Sequence, residues 1–346
     1  MVDPSPVRSG ATLDAKVAFL QRAEAYPDAP ERVEALETHM SWVFRAGEFV
    51  YKLKKPVRYD FLDFSTLEAR WRDCEEEVRL NRRLAPDVYL GVVALTVARD
   101  GGLRLGEDGA PVDWLVRMRR LPDRLMLDHA IRAGAVNAGD VRRCIAALAA
   151  FYRRCEPVAM DAKLYRQRFV DGVNATRRDL ASPEYFLPAD AVQAVASAQL
   201  AFLDRHASLF DRRVEEKRIV EGHGDLRPEH VCLADPPIFI DCLEFNRDWR
   251  LVDPADELAY LALECEHAGA DSIGEIAFAA YRAGTGDDPP EPLIRFYKAY
   301  RASLRAKLAA WHLQDHPDEA ARLKWNDHAR RYLALARRYA ESLNDG

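Results

Sequence analysis

EGHGDLRPEHVCLADPPIFIDCLEF, residues 221–245, is the stretch whose reading decides the fold. His223, Asp225, Arg227, Glu229 and His230 crowd into one short segment, and the apolar run Ile238 to Ile240 then ends on Asp241. Gly224 and Pro228 interrupt the polar segment, and its polar groups follow neither a helical nor a strand period, so it reads as a tight loop. Pro236–Pro237 marks a turn, and the apolar run behind it is a buried strand that delivers Asp241 to the same place. Carboxylates thrown together from a loop and a strand end imply a cation, a phosphate or both.

The string HGDLRPEH, 223–230, resembles the catalytic loop of the protein-kinase-like superfamily. It is close to the HRDLKPEN of protein kinases and to the HGDLHPGN of aminoglycoside and choline phosphotransferases. IDCLEF, 240–245, resembles the IDWE-type metal motif of the phosphotransferase branch, and LVDPADELAYL, 251–261, its GDPxxDLA segment. The motifs stand in the family's order and spacing, and the resemblance covers residues 35–310, densest over 221–265. It implies an α+β, bilobal, protein-kinase-like fold. Residues 1–118 would form a small N-terminal lobe, an antiparallel sheet with one main helix; residues 119–346 would form a larger helical lobe holding the catalytic loop, metal site and acceptor pocket.

The same resemblance distributes roles. Phosphoryl transfer needs positioning and charge neutralisation more than covalent work. Asp225 is implied as the catalytic base, with His223 tying the loop to the core. Arg227 falls where protein kinases place a lysine that contacts the transferred phosphate; a solvated arginine is the alternative. Asp241 matches the metal aspartate. At His230 the family has asparagine, a hard amide oxygen for Mg²⁺, whereas imidazole suits Mn²⁺ or Zn²⁺ better. Either the site tolerates nitrogen, or water intervenes, or metal binding is impaired, and the last keeps a nucleotide-binding pseudokinase in view. Glu244 either adds a carboxylate to the site or is a surface residue. Asp253 resembles the aspartate that holds the catalytic loop's backbone from below, and Asp256 and Glu257 are structural.

VYKLK, 50–54, resembles the strand whose lysine grips the α and β phosphates. Lys52 and Lys54 share one strand face, so periodicity does not choose between them; the resemblance favours Lys52. Among the glutamates 75–77, Glu76 lies about 170° from the helix's apolar stripe and Glu77 on the side of Leu80 and Leu84. Glu77 is therefore the expected partner, against a solvated run with Glu75–Arg79 as an i,i+4 pair. Neither GxGxxG ahead of the hairpin nor GxxxxGK[ST] is present. ETHMS, 37–41, stands where a phosphate-covering loop belongs, with Thr38, His39 and Ser41 as donors or as a plain polar turn. The adenine would lie against the strand ending WLVRMRR, 114–120, with the hinge from Met118 to Leu121.

The chain has 346 residues, enough for two lobes, with 49% hydrophobic and 31% charged side chains. A net charge of −6 gives no reason to expect nucleic acid and slightly favours a cationic or neutral substrate. No leader-like apolar segment or membrane-length apolar run occurs, so a cytoplasmic protein, monomer or weak homodimer, is expected. The scattered cysteines read as reduced, buried thiols.

Helices are expected over Ala11–Tyr26, Ser65–Leu84 (opened by the capping box Ser65–Glu68, with Leu67, Trp71, Cys74 and Val78 as its stripe), from a cap at Asp140 to Cys155, over Leu164–Leu180 and Ala191–Phe210, and in a last pair, 291–314 and 318–343. Trp42–Phe44 and Phe49–Lys54 form a hairpin; Val88–Val97, Leu103–Leu105 and Trp114–Met118 are further strands. Residues 1–10 read as loose.

The function expected is transfer of the γ-phosphate of ATP, with Mg²⁺ or Mn²⁺, to a hydroxyl of a small molecule: an aminoglycoside, another amino sugar or an unrelated metabolite. Tyr300, Arg301 and Arg305 would help wall the acceptor pocket. A His/Asp metallohydrolase lacks further ligands at suitable spacing, and a protein kinase lacks its DFG and APE segments.

Overall fold

A computed structural model describes residues 11–59, 61–106, 109–315 and 319–343. The segment 1–10, read as loose, lies outside the described residues. The chain divides into two units: Met1–Asp123 with Ile238–Arg247, and Arg124–Pro237 with Asp248–Gly346.

Alternating side chains build the first unit, with register shifts between Tyr89 and Gly91 and between Leu95 and Thr96. Its six-stranded antiparallel sheet runs, in spatial order, Val33–Glu37, Ser41–Ala46, Phe49–Lys54, Ala110–Arg119, Tyr89–Val97 and Leu103–Leu105. The turn after Ala46 needs a left-handed residue, and Gly47 takes φ +61° there at no steric cost. Tyr51 and Leu53 face a core with Phe44, Leu95 and Leu115, closed by Val17 and Leu20 of the helix Leu13–Leu20. Period two sends Lys52 and Lys54 to the opposite face, where the helix Leu67–Asn81 packs Cys74 and Val78 against Tyr89 and Val116. Buried Asp113 joins the elements, taking Arg70 in two bonds (2.7 and 3.1 Å) and Lys16 at 2.8 Å.

Several element ends differ from the sequence reading. The N-cap of Leu67–Asn81 is Thr66, which accepts from Ala69 N–H, while the Ser65 hydroxyl is spent on Asp63, so the expected capping box does not form. Trp71 leaves the apolar stripe, 40% exposed. Asn137 caps the helix Ala138–Arg154 by accepting from Asp140 N–H; Asp140 sits in the first turn, where a carboxylate complements the helix dipole. The first helix stops at Leu20, followed by a 3₁₀ turn at Ala23–Ala25, and the expected 191–210 helix is two, Ala189–Arg205 and Ala207–Glu215.

The second unit is mostly helical, and its centre is the helix Pro254–His267, buried from Pro254 through Cys265. Glu291–Asp315 and Glu319–Ser342 pack with it and with Ala162–Leu180 and Ala189–Arg205. Phe296 stacks on Phe202 (5.4 Å between centroids) and meets Phe210 edge-on at 5.0 Å. Among the described residues no helix is long and apolar enough to cross a membrane. The short ladder of Val220–Glu221 with Leu251–Val252 brings the motif loop and the 251–261 segment side by side.

Phe296 has no exposed surface, so Phe296→Ala should lower unfolding stability by about 3–5 kcal/mol, read from urea denaturation of the helical signal.

Candidate functional site

In the first unit two lysines converge on one glutamate. Lys52 Nζ lies 2.9 Å from Glu77 Oε1 and 2.9 Å from Asp241 Oδ1. Lys54 Nζ lies 2.7 Å from Glu77 Oε2 and 2.6 Å from Asp73, and it also bonds Glu244. Neither Glu75 nor Glu76 takes this place; Glu76 pairs with Arg79 along the helix. Burial alone would lower both lysines, but the carboxylates around them outweigh it and hold both well above the ordinary lysine range, so both are ammonium ions at neutral pH. Burial pushes the Glu77 carboxyl up and the lysines pull it back only in part.

The cluster is completed by the segment after the Ile238–Phe239 strand. Asp241 takes a left-handed backbone, φ +59°, a conformation aspartate tolerates better than most residues. Its N–H donates to the hydroxyl of buried Tyr89 (3.0 Å), and Cys242 N–H donates to Asn81 Oδ1 (2.9 Å). Asn81 in turn donates to the Glu77 carbonyl at 2.9 Å. Tyr89 and Asn81 carry no motif signal, and sequence reasoning missed them. Thr38 closes the 38–41 turn: its hydroxyl donates to the Ser41 carbonyl and accepts from Ser41 N–H, and Ser41 is buried. Met118 sits in register with Val50 and packs, as Ile238 and Ile240 also do, against the cluster of Cys74, Val78, Tyr89 and Val116.

The second unit holds Asp225, Arg227 and His230 in one network. Tyr260 donates to Asp225 Oδ1 (3.2 Å), and Arg227 Nε approaches the same carboxylate at 3.1 Å. Arg227 Nη1 pairs with Glu229 at 2.6 Å. Its Nη2 lies 3.3 Å from His230 Nε2, while His230 Nδ1 lies 2.8 Å from the Asp225 carbonyl. Burial would raise the Asp225 carboxyl, but the Arg227 guanidinium beside it, with Arg305, holds it below its usual value, so it is ionised at neutral pH.

The backbone beneath the loop is held by Glu257, which accepts from Gly224 N–H and, at 2.8 Å, from the Tyr152 hydroxyl. A side chain at Gly222 would sit 2.6 Å from Glu257 Oε2, so this close approach requires glycine. Asp253, expected in that holding role, instead caps the helix through Ala255 N–H and takes Arg213 in two bonds (2.7 and 2.8 Å). The chemical reason is reach: a glutamate one turn into the helix spans to the loop amide, while an N-cap aspartate is committed to its own helix. Arg301 takes Asp256 in two bonds (2.8 and 2.6 Å), and Tyr300 packs against Gly172 and Phe169 in the aromatic core. Arg305 pairs with Glu264 at 3.1 Å. Among the described residues no group of three or more His, Cys, Asp or Glu is arranged as a metal centre.

No family model matches the sequence. Uncharacterized proteins of Mycobacterium tuberculosis and Mycobacterium bovis are 32% identical over 305 residues, 86% of this chain and 59% of theirs. The chain thus spans well under two thirds of these relatives. Among solved structures, a Plasmodium vivax ethanolamine kinase aligns with TM-score 0.50 and 10% identity, covering 88% of this chain and 81% of that one. A choline/ethanolamine kinase family protein from Mesorhizobium loti aligns at 0.49 and 15% identity, over 94% and 99%. The aminoglycoside phosphotransferase APH(4)-Ia aligns at 0.47 and 13%, also over 94% and 99%. The chain has a kinase-like fold, which it shares with the ethanolamine kinase.

Lys54→Met would strand buried carboxylates without their ammonium partner and should cost about 3–5 kcal/mol, measured by urea unfolding. Removing the exposed Arg79–Glu76 pair should cost under about 1 kcal/mol in the same assay.

Proposed function

We propose that the chain moves the γ-phosphate of ATP to a hydroxyl of a small molecule. The observation that carries this is Lys52, bonded at once to Glu77 and Asp241. An ammonium aimed by a glutamate, beside an aspartate on a strand end, is what gripping a polyphosphate requires. Lys54 forms the same kind of contacts but has no exposed surface, whereas the Lys52 side chain keeps 15%; Lys52 is therefore the phosphate ligand and Lys54 its support.

Asp225 serves as the base that orients the acceptor hydroxyl and takes its proton. Its lowered pKa keeps it ionised, and the Tyr260 bond sets the carboxylate's direction. Arg227 adds a guanidinium that meets charge on the transferred phosphoryl group. The first-unit cluster has carboxylate to spare, two ammonium groups facing four carboxylates, and the Asp241 side chain, a hard oxygen donor, is 45% exposed. Mg²⁺ bound through Asp241 would supply neutralisation of the phosphate oxygens. Acceptors to test first are aminoglycosides and other amino sugars, in line with the small-molecule phosphotransferases that share the fold.

Calorimetry with ATP and Mg²⁺ or Mn²⁺, followed by ATP consumption over an amino-sugar panel, tests the reading. Tight binding without turnover under either metal would instead support a nucleotide-binding pseudokinase; no ATP binding would sink both. Asp225→Ala should lower turnover by about 10²–10⁴-fold with ATP affinity nearly intact, and Lys52→Met should weaken ATP binding itself. Because the base is active when deprotonated and its pKa is lowered, the acid limb of kcat should fall below the ordinary aspartate value of about 3.9.

A further inference from the structure

His230 stands where the related motif places a metal-binding asparagine, yet its ring is already committed. Nδ1 lies 2.8 Å from the Asp225 carbonyl, which can only accept, so Nδ1 carries the proton and donates. Nε2 lies 3.3 Å from Arg227 Nη2, which can only donate, so Nε2 is the acceptor. The neutral Nδ1–H tautomer satisfies both partners at once, and no other protonation state does. A metal on Nε2 would have to displace a guanidinium and then sit beside it, cation against cation. The donor set at this ring therefore does not fit a metal ion.

We infer that His230 is a positioning residue for Arg227, and through it for Asp225, and not a ligand of the metal. The guanidinium is gripped at each of its nitrogens: Nε by Asp225 at 3.1 Å, Nη1 by Glu229 at 2.6 Å, and Nη2 by His230 at 3.3 Å. That fixes the plane of a planar, rigid fork, which a flexible arginine would otherwise hold only at an entropic cost. The second bond of the same imidazole, to the Asp225 carbonyl, ties the fork to the backbone of the residue it serves. His230 is itself nearly buried, 6% exposed, so the ring has little freedom to swing toward another partner. A bound metal would then be held by oxygen donors, Asp241 among them, and the histidine would carry no preference for Mn²⁺. The roles given to Arg227 and Asp225 rest on the proposed phosphotransfer; the tautomer does not.

Two measurements separate the inference from that reading. In protein labelled with ¹⁵N-histidine, one of nine histidines, identified by its loss in His230→Asn, should show a protonated Nδ1 and a bare Nε2 at neutral pH, and Arg227→Met should shift that Nε2. A protonated Nε2, or no response to Arg227→Met, would overturn the inference whether or not the protein binds nucleotide. With Mn²⁺ and ATP, pulsed electron paramagnetic resonance should show no imidazole nitrogen coupling that vanishes in His230→Asn; such a coupling would make His230 a ligand. If Mn²⁺·ATP does not bind, the phosphotransfer reading fails and the tautomer measurement still decides. For turnover, a metal ligand predicts that His230→Asn preserves or raises Mg²⁺-supported ATP consumption. A positioning residue predicts a fall in kcat of about 10–100-fold, the worth of one hydrogen bond to a charged group, with little further loss when Arg227→Met is combined with it.

Discussion

Glu77 carries a lysine on each carboxylate oxygen, and the first unit is arranged to make that possible. The strand Phe49–Lys54 can offer two ammonium groups to one side only because its side chains alternate with period two. The helix Leu67–Asn81 must then lie on that side, and its apolar residues Cys74 and Val78 hold it there. A fully buried glutamate is tolerable because it is paired twice, and the lysines are tolerable because each meets more than one carboxylate. Such a network adds little net stability over an apolar core of equal volume. What it secures is placement: a displaced strand or helix would leave charges buried and unmatched.

The second unit applies the same constraint around one helix. Pro254–His267 is buried on every side yet carries acidic residues, and each is matched from elsewhere in the unit. Asp253, at its cap, takes Arg213; Asp256 takes Arg301; Glu257 takes the loop amide and Tyr152; Glu264 takes Arg305 and Tyr332. The motif loop inherits its shape from this helix, since Glu257 grips Gly224 and crowds Gly222. Asp225 then stands on a backbone that is fixed from beneath and beside, with its charge kept by neighbouring cations. Rigid support of this kind is what lets a carboxylate act as an oriented base and not as a solvated anion.

Lys54 shows how two like residues can be separated by burial. By chemistry and spacing it is the twin of Lys52. Burial alone separates them: one keeps an exposed edge and the other has none. Arg301 and Arg305 divide in a similar way on one helix. The first is wholly engaged by Asp256, and the second retains partial exposure while its field reaches Asp225.

The resemblance of contiguous motifs implied the kinase-like fold, and local periodicity was enough to read the alternating strands and to set Glu77 apart from its neighbours. The tight loop broken by Gly224 and Pro228 was legible in the same way. Cap positions slipped, at Thr66 and Asn137, because several adjacent polar residues compete for the same amide and only the folded backbone selects among them. Tyr89 and Asn81 were invisible: their partners lie 152 and 161 residues away, and nothing local marks a tyrosine or asparagine as a hydrogen-bond post. His230 was read from its place in a motif, whereas its surroundings assign its nitrogens, which no string of letters records. The chain by itself determined which chemical groups are available and which elements carry them. Tertiary structure alone decided which charges are buried together, because pairing energy depends on distance and desolvation, and both are properties of the fold.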